Sequence, residues 1–164
     1  MKHVLVTGGS GFIGRALAGR LSAYCRVGVI DTAVGSSVLD RYLDLRGYNT
    51  VVHLAAINGT KNFYERPREV LDVQIRGTLN VLDACVRHGV KTFALASSSE
   101  VYQTPPSFPT PEDVPLVVPD LKNPRYSYGG GKIAAELLAY HSAVPRVVIF
   151  RPHNVYGPGM GNNH

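Results

Sequence analysis

Tyr128 and Lys132 stand four residues apart in a segment with helical character, so both side chains project from one helix face. A phenol ordinarily ionises near pH 10. A neighbouring ammonium favours the phenolate and brings its ionisation closer to neutrality. Such a pair can take a proton from an alcohol. Ser98, at the end of an expected strand, can hydrogen-bond the same oxygen as it becomes a carbonyl. Glu100 adds a carboxylate two residues on. Alcohol oxidation also requires a hydride acceptor, and the start of the chain indicates which.

Thr7-Gly8-Gly9-Ser10-Gly11-Phe12-Ile13-Gly14 follows an apolar run, His3 to Val6, that reads as a buried strand. It leads into Arg15 to Leu21, which has helical periodicity. Strand, glycine-rich turn and helix together place a pyrophosphate on a helix N-terminus. Gly8 permits the tight turn, Gly11 lets backbone approach the phosphates, and Gly14 lets the helix pack closely on the strand. Asp31 closes a second strand, Val27 to Ile30, where an acidic residue meets the adenosine ribose hydroxyls. A carboxylate there accepts a 2′-hydroxyl and repels a 2′-phosphate, so NAD is expected over NADP. The positive nicotinamide ring then favours the Tyr128 phenolate further.

The elements that must position these groups alternate. A strand is expected over Thr50 to Ala56 and a short helix or strand over Val38 to Arg46. A long helix is expected over Pro67 to His88, with apolar Val70, Leu71, Ile75, Leu79, Leu82 and Val86 and a stop at Gly89. Val90 to Ala96 reads as a strand, Ser127 to Ser142 as a helix and Arg146 to Phe150 as a strand. The Pro-rich stretch from Thr104 to Pro124 reads as an ordered active-site loop. This alternation predicts an α/β fold, a Rossmann doubly wound parallel sheet with helices on both faces. Gly8 to Gly14, Asp31, Ala55-Ala56, Ser98 and Arg151 to Asn154 then fall at the carboxyl ends of the strands, where such sheets bind ligands.

With 164 residues the chain is long enough for one domain with a proper core. Its net charge of +5 is spread without a basic run, which argues against nucleic acid as a partner. Cys25 and Cys85 lack metal-ligand spacing, so no metal is expected, and they read as thiols in a reducing compartment. No apolar run is long enough for a membrane span, and the first strand starts at once. Membrane association is not expected, and the cytoplasm is the expected location.

The chain resembles the extended short-chain dehydrogenases, the NAD-dependent sugar-nucleotide epimerase/dehydratase family. The matching pieces are Thr7 to Gly14, His53-Leu54-Ala55-Ala56, Gly77-Thr78-Leu79-Asn80-Val81, Ser97 to Tyr102, Tyr128 to Lys132, and Arg151 to Pro158. The resemblance implies Tyr128 as base, Lys132 as its partner that also holds the nicotinamide ribose, and Ser98 as the group polarising the sugar C4 oxygen. It implies that Gly8, Gly11, Phe12, Ile13, Gly14, Asp31, Leu54, Ala55, Ala56 and Pro152 bind the cofactor, with Asp44 and Leu45 beside the adenine. Ser98, Ser99 and Asn154 would face the substrate, Asn154 at the diphosphate. Glu100 stands where dehydratases and decarboxylases of the family carry a catalytic Glu, although a solvated loop carboxylate is the alternative. Ser99 replaces the Asp acid of hexose 4,6-dehydratases, which argues against that chemistry.

The departures from the family pattern are Gln74 for a common Asn, Gln103 for a Gly, and a short segment between Asp31 and Thr50. Family members run to about twice this length. Residues 1–164 are therefore expected to be an NAD-binding Rossmann domain cut before the substrate-binding domain. The implied function is NAD-dependent modification of a nucleotide-linked sugar through transient C4 oxidation. Decarboxylation, 4-keto reduction or a catalytically incomplete binding module are the alternatives. The resemblance also implies a homodimer through the helices Pro67–His88 and Ser127–Ser142.

Overall fold

The computed structural model describes residues 2–160. Its five strands are β1 (His3–Thr7), β2 (Arg26–Ile30), β3 (Thr50–His53), β4 (Thr92–Ala96) and β5 (Arg146–Phe150). The helices are α1 (Phe12–Ser22), α2 (Thr60–Glu65), α3 (Pro67–Arg87) and α4 (Ser127–Tyr140). All strand pairs are parallel, in the order β2-β1-β3-β4-β5. The chain steps one way from β1 to β2 and the other way from β3 to β5. Right-handed crossovers therefore put α1 on one face and α3 with α4 on the other. The expected doubly wound sheet is the observed one.

β1 carries an unbroken apolar run, Val4 to Val6, because both of its faces are covered, whereas β5 at the sheet edge leaves Val148 and Phe150 exposed. Leu5, Val6, Val51, Phe93 and Leu95 are almost wholly buried. The main core joins Leu5, Val51, Phe93 and Leu95 to Val81, Leu82, Ala84 and Cys85 of α3 and to Ala135 and Ala139 of α4. α3 begins with Pro67 in its first turn, and Gly89 at φ +69° follows its end.

The sequence boundaries shift in informative places. β3 stops at His53, and the next three residues leave the sheet along its carboxyl edge. Residues 38–46 form turns, with neither helix nor strand. Val38, Leu43 and Leu45 nevertheless join the core, and Val38 occupies the space that a side chain at Gly77 would need. The short helix α2 was not expected.

Candidate active site

Strand register aligns the candidate residues along one edge. Thr7 lies beside Ile30 and His53, His53 beside Leu95, and Ala96 beside Phe150. Gly8, Asp31, Leu54, Ser97 and Arg151 each directly follow a strand on that edge. The chain reverses direction between β1 and β3, which opens a crevice there. A cavity of about 670 Å³ occupies it.

Gly8, Gly11, Phe12, Ile13 and Asp31 line this cavity on one side. Leu54, Ala55, Ala56, Tyr128, Lys132 and Pro152 line it on the other. Gly8 sits at φ +69°, and a Cβ there would press within 2.8 to 3.0 Å of the backbone of Leu54 and Ala55. Gly14 does not line the cavity. Its missing side chain lets α1 rest on the Gly8 carbonyl, the close helix packing expected of it. The N-cap of α1 is Gly11, which has no side chain, so this helix end brings its dipole and backbone close to the cavity, an arrangement suited to a phosphate. The Asp31 carboxylate accepts from Ser10 N and Ala33 N, both at 3.0 Å, and so ties the glycine turn to the end of β2. Glycine cradle, helix N-terminus and carboxylate together fit a dinucleotide.

Two expected cofactor residues lie elsewhere. The Asp44 carboxylate pairs with the Arg46 guanidinium, which holds its pKa well below the usual range. Leu45 is fully buried in the core. Neither lines the cavity, whereas Val38 and Leu39 do. The short connection after β2 bends at Gly35 (φ +76°) and brings Val38 to the crevice first.

A second cavity of about 410 Å³ shares Tyr128, Ser97 and Pro152 with the first. Ser98, Ser99, Glu100, Arg125, His153 and Asn154 line it. Burial raises the pKa of the Tyr128 phenol, and the neighbouring Ser98 side chain works against that rise. Phe63 of α2 stacks on the Tyr128 ring at 4.8 Å, and the Arg125 guanidinium lies 5.5 Å from the Phe63 ring. Lys132 donates to the Ala96 carbonyl at 2.6 Å, with its Nζ 5.7 Å from the Tyr128 ring centre. Burial lowers the Lys132 pKa to about 8, against the pull of Glu136.

The Glu100 carboxylate is not freely solvated. Both of its oxygens accept from Arg125 Nη2 at 2.9 Å. The carbonyl of Glu100 accepts from Gln103 Nε2 at 2.5 Å. A glycine at position 103 could not make that contact. Gln103 also takes φ +50°, the backbone state that glycine would adopt readily. Gln74, the other departure, is 1% exposed and fills the space beside Gly131. The long side chain fits because Gly131 has no Cβ to occupy that space.

Sequence reasoning missed a polar framework behind the site. His53 bridges Thr7 Oγ1 (2.7 Å, through Nδ1) and Thr78 Oγ1 (3.2 Å, through Nε2). Burial and the Lys132 charge lower its pKa to about 3. Arg151 donates to Glu136, to the Tyr102 hydroxyl at 2.8 Å and to the Glu112 carbonyl at 3.0 Å. Its last contact anchors the Pro-rich stretch, which carries turns from residue 104 until a single 3-10 turn at Pro124–Tyr126.

A parallel, doubly wound sheet with a glycine turn at its switch point defines a dinucleotide-binding fold. Residues 4–164 match the NAD dependent epimerase/dehydratase family, and the chain belongs to it. It is 31% identical to a UDP-glucose 4-epimerase of Mycolicibacterium smegmatis over 95% of its own length and 57% of the relative's. It is 32% identical to a UDP-N-acetyl-alpha-D-glucosaminuronate decarboxylase of Bacillus cytotoxicus, covering 96% and 56%. Its fold matches the solved structure of TunA, an NAD dependent-NDP-hexosamine 5,6-dehydratase of tunicamycin biosynthesis, with a TM-score of 0.84 and 31% identity. That match covers 97% of this chain and 57% of TunA. The chain thus spans a little over half the length of these relatives. No described helix is long and apolar enough to cross a membrane.

Proposed function

We propose that this chain is the cofactor half of an NAD-dependent enzyme that modifies a nucleotide-linked sugar through transient oxidation at C4. The observation carrying this reading is the meeting of Ser98, Tyr128 and Lys132 at the wall between the two cavities. Gly8, Gly11, Phe12, Ile13, Asp31, Leu54, Ala55, Ala56, Lys132 and Pro152 hold the dinucleotide, and Asp31 selects a 2′-hydroxyl. NAD, when bound, supplies the hydride acceptor. Tyr128 takes the C4 hydroxyl proton, and Ser98 hydrogen-bonds that oxygen as it becomes a carbonyl. Lys132 holds the nicotinamide ribose and favours the phenolate. Burial opposes ionisation of Tyr128, so the base depends on nearby positive charge.

Ser98, Ser99 and Asn154 face the sugar nucleotide. Glu100, aimed by Arg125, serves the step after oxidation, and Ser99 disfavours 4,6-dehydration. A transient 4-keto state can be re-reduced on either face and acidifies the neighbouring C–H, so C4 redox chemistry serves epimerisation and decarboxylation alike, and 4-keto reduction is its reverse step. A dinucleotide-binding module without turnover is the second reading, since the glycine turn, α1 and Asp31 can hold a dinucleotide without the Tyr128 side of the cleft.

The exposed apolar groove between α3 and α4, with Leu79, Val86 and Leu137, supports a homodimer through those helices. The unbridged Cys25 and Cys85, the latter with its thiol pushed up to about 12 by burial, support a reducing, cytoplasmic setting. The test is to extend the chain to full family length and screen nucleotide sugars for turnover and NADH formation. Turnover that requires Tyr128 supports the enzyme. A full-length protein that binds NAD but converts none of the sugars favours the binding module.

A further inference from the structure

Glu136 takes no part in the chemistry above, yet among the described residues it is the one acidic side chain that is buried, at 3% exposure. Its Oε1 accepts from the Ser97 hydroxyl and from Arg151 Nε at 2.9 Å. Its Oε2 accepts from Arg151 Nη2 at 2.6 Å. One helical turn earlier on α4, Lys132 donates to the Ala96 carbonyl. Successive turns of α4 therefore grip successive residues at the end of β4, immediately before Ser98. A carboxylate buried this deeply is costly unless it is paired, and apolar side chains could tie α4 to β4 as well. The charge itself therefore calls for a use.

We propose that Glu136, held by Arg151 and Ser97, is a positioning residue for Lys132: it fixes a negative charge one turn away from the ammonium and locks the end of β4 onto α4. This rests on the role given to Lys132 above. The surroundings of Lys132 leave Glu136 as its main source of negative charge. β3 presents His53, which burial keeps neutral down to about pH 3. α4 itself presents Tyr128 and Glu136. β4 contributes the Ala96 carbonyl and the Ser97 hydroxyl, and α3 packs on α4 here through the uncharged Gln74. Arg151, after β5, stands on the other side of Glu136. Asp31 lines the same cavity from the end of β2 and pairs with backbone N–H groups there. Burial draws the Lys132 pKa down to about 8, and Glu136 works against that fall. Without the Glu136 charge, Lys132 loses its proton nearer neutrality.

The chain has only five lysines, Lys2, Lys61, Lys91, Lys122 and Lys132, so its ammonium titrations can be followed individually by NMR of 13Cε-lysine. Lys132→Arg assigns the signal. In Glu136→Gln the Lys132 midpoint should fall by about one pH unit or more, while Glu136→Asp, which keeps the charge, should hold it near the parent value. A purely structural role would lower the melting temperature and leave that midpoint in place, which overturns the proposal. If Glu136→Gln does not fold, Glu136→Met, a neutral side chain of similar length, decides: the Lys132 midpoint must fall there too, and an unchanged or higher one overturns the proposal. NADH binding is measured on the same samples. A parent that titrates as described but does not bind NADH removes the cofactor role of Lys132 and leaves the tuning by Glu136 standing.

Discussion

The two sides of the cleft are built from different materials. On the β1–β2 side, backbone does nearly all the work: a glycine turn, a helix end with glycine at its N-cap and one carboxylate anchored to two N–H groups. On the β4–β5 side, charged side chains are packed into the protein, with Lys132 and Glu136 buried and Arg151 16% exposed. A dinucleotide is a constant ligand, and backbone can match it. Moving protons on a sugar needs side chains whose ionisation can be set. The first side tolerates no added atoms, and the second tolerates no lost charges.

The largest effect should come from the second side. In a full-length form, Tyr128→Phe should lower turnover by about 100- to 10,000-fold or more, the usual worth of a positioned acid or base, and leave NAD affinity nearly intact. Loss of NAD binding in that variant would make Tyr128 a cofactor contact and blur the contrast. On the first side, Gly14→Ala brings a methyl against the Gly8 carbonyl. It should destabilise the chain by about 1–3 kcal/mol and weaken NAD binding, read by thermal melting and calorimetry. A fully stable Gly14→Ala protein with parental affinity would show that the turn has slack.

His53 lies between the two sides and sharpens the comparison through pH. An unfolded imidazole takes its proton near pH 6.5, whereas the folded one resists to about 3. The unfolded state therefore binds more protons across that window, and stability falls as the pH drops through it. His53→Gln should flatten this acid limb in urea melts, by up to about 1.4 kcal/mol for each pH unit. A smaller effect distinguishes reaction types. Glu100→Gln should slow the step after oxidation and let NADH accumulate in a decarboxylase or dehydratase, and change little in a plain epimerase.

The contrast also governs what could be read from the sequence. Strands, the glycine turn and the long helices were legible because apolar runs, periodicity and glycine spacing are local signals. Tyr128, Lys132 and Ser98 were legible because their spacing places them on one helix face and one strand end. α2 was not, since six residues carry too little periodicity, and so the Phe63 stack on Tyr128 was missed. Asp44 and Leu45, expected beside the adenine from the resemblance, stand outside the cavity, and the short connection after β2 brings Val38 and Leu39 to it. Arg151 was legible as a strand-end residue, but its pairing with Glu136, 15 residues away in sequence, was not. The available hint was that Glu136 falls four residues after Lys132, on the same helix face.

The central claim is that this chain is built around NAD, and titration calorimetry of the chain with NAD and with NADP tests it most directly. NAD should bind clearly more tightly, and Asp31→Ala should narrow the gap by improving NADP relative to NAD, because the carboxylate that repels a 2′-phosphate is gone. Equal affinity for the two cofactors in the unaltered chain, or binding of neither, would contradict it.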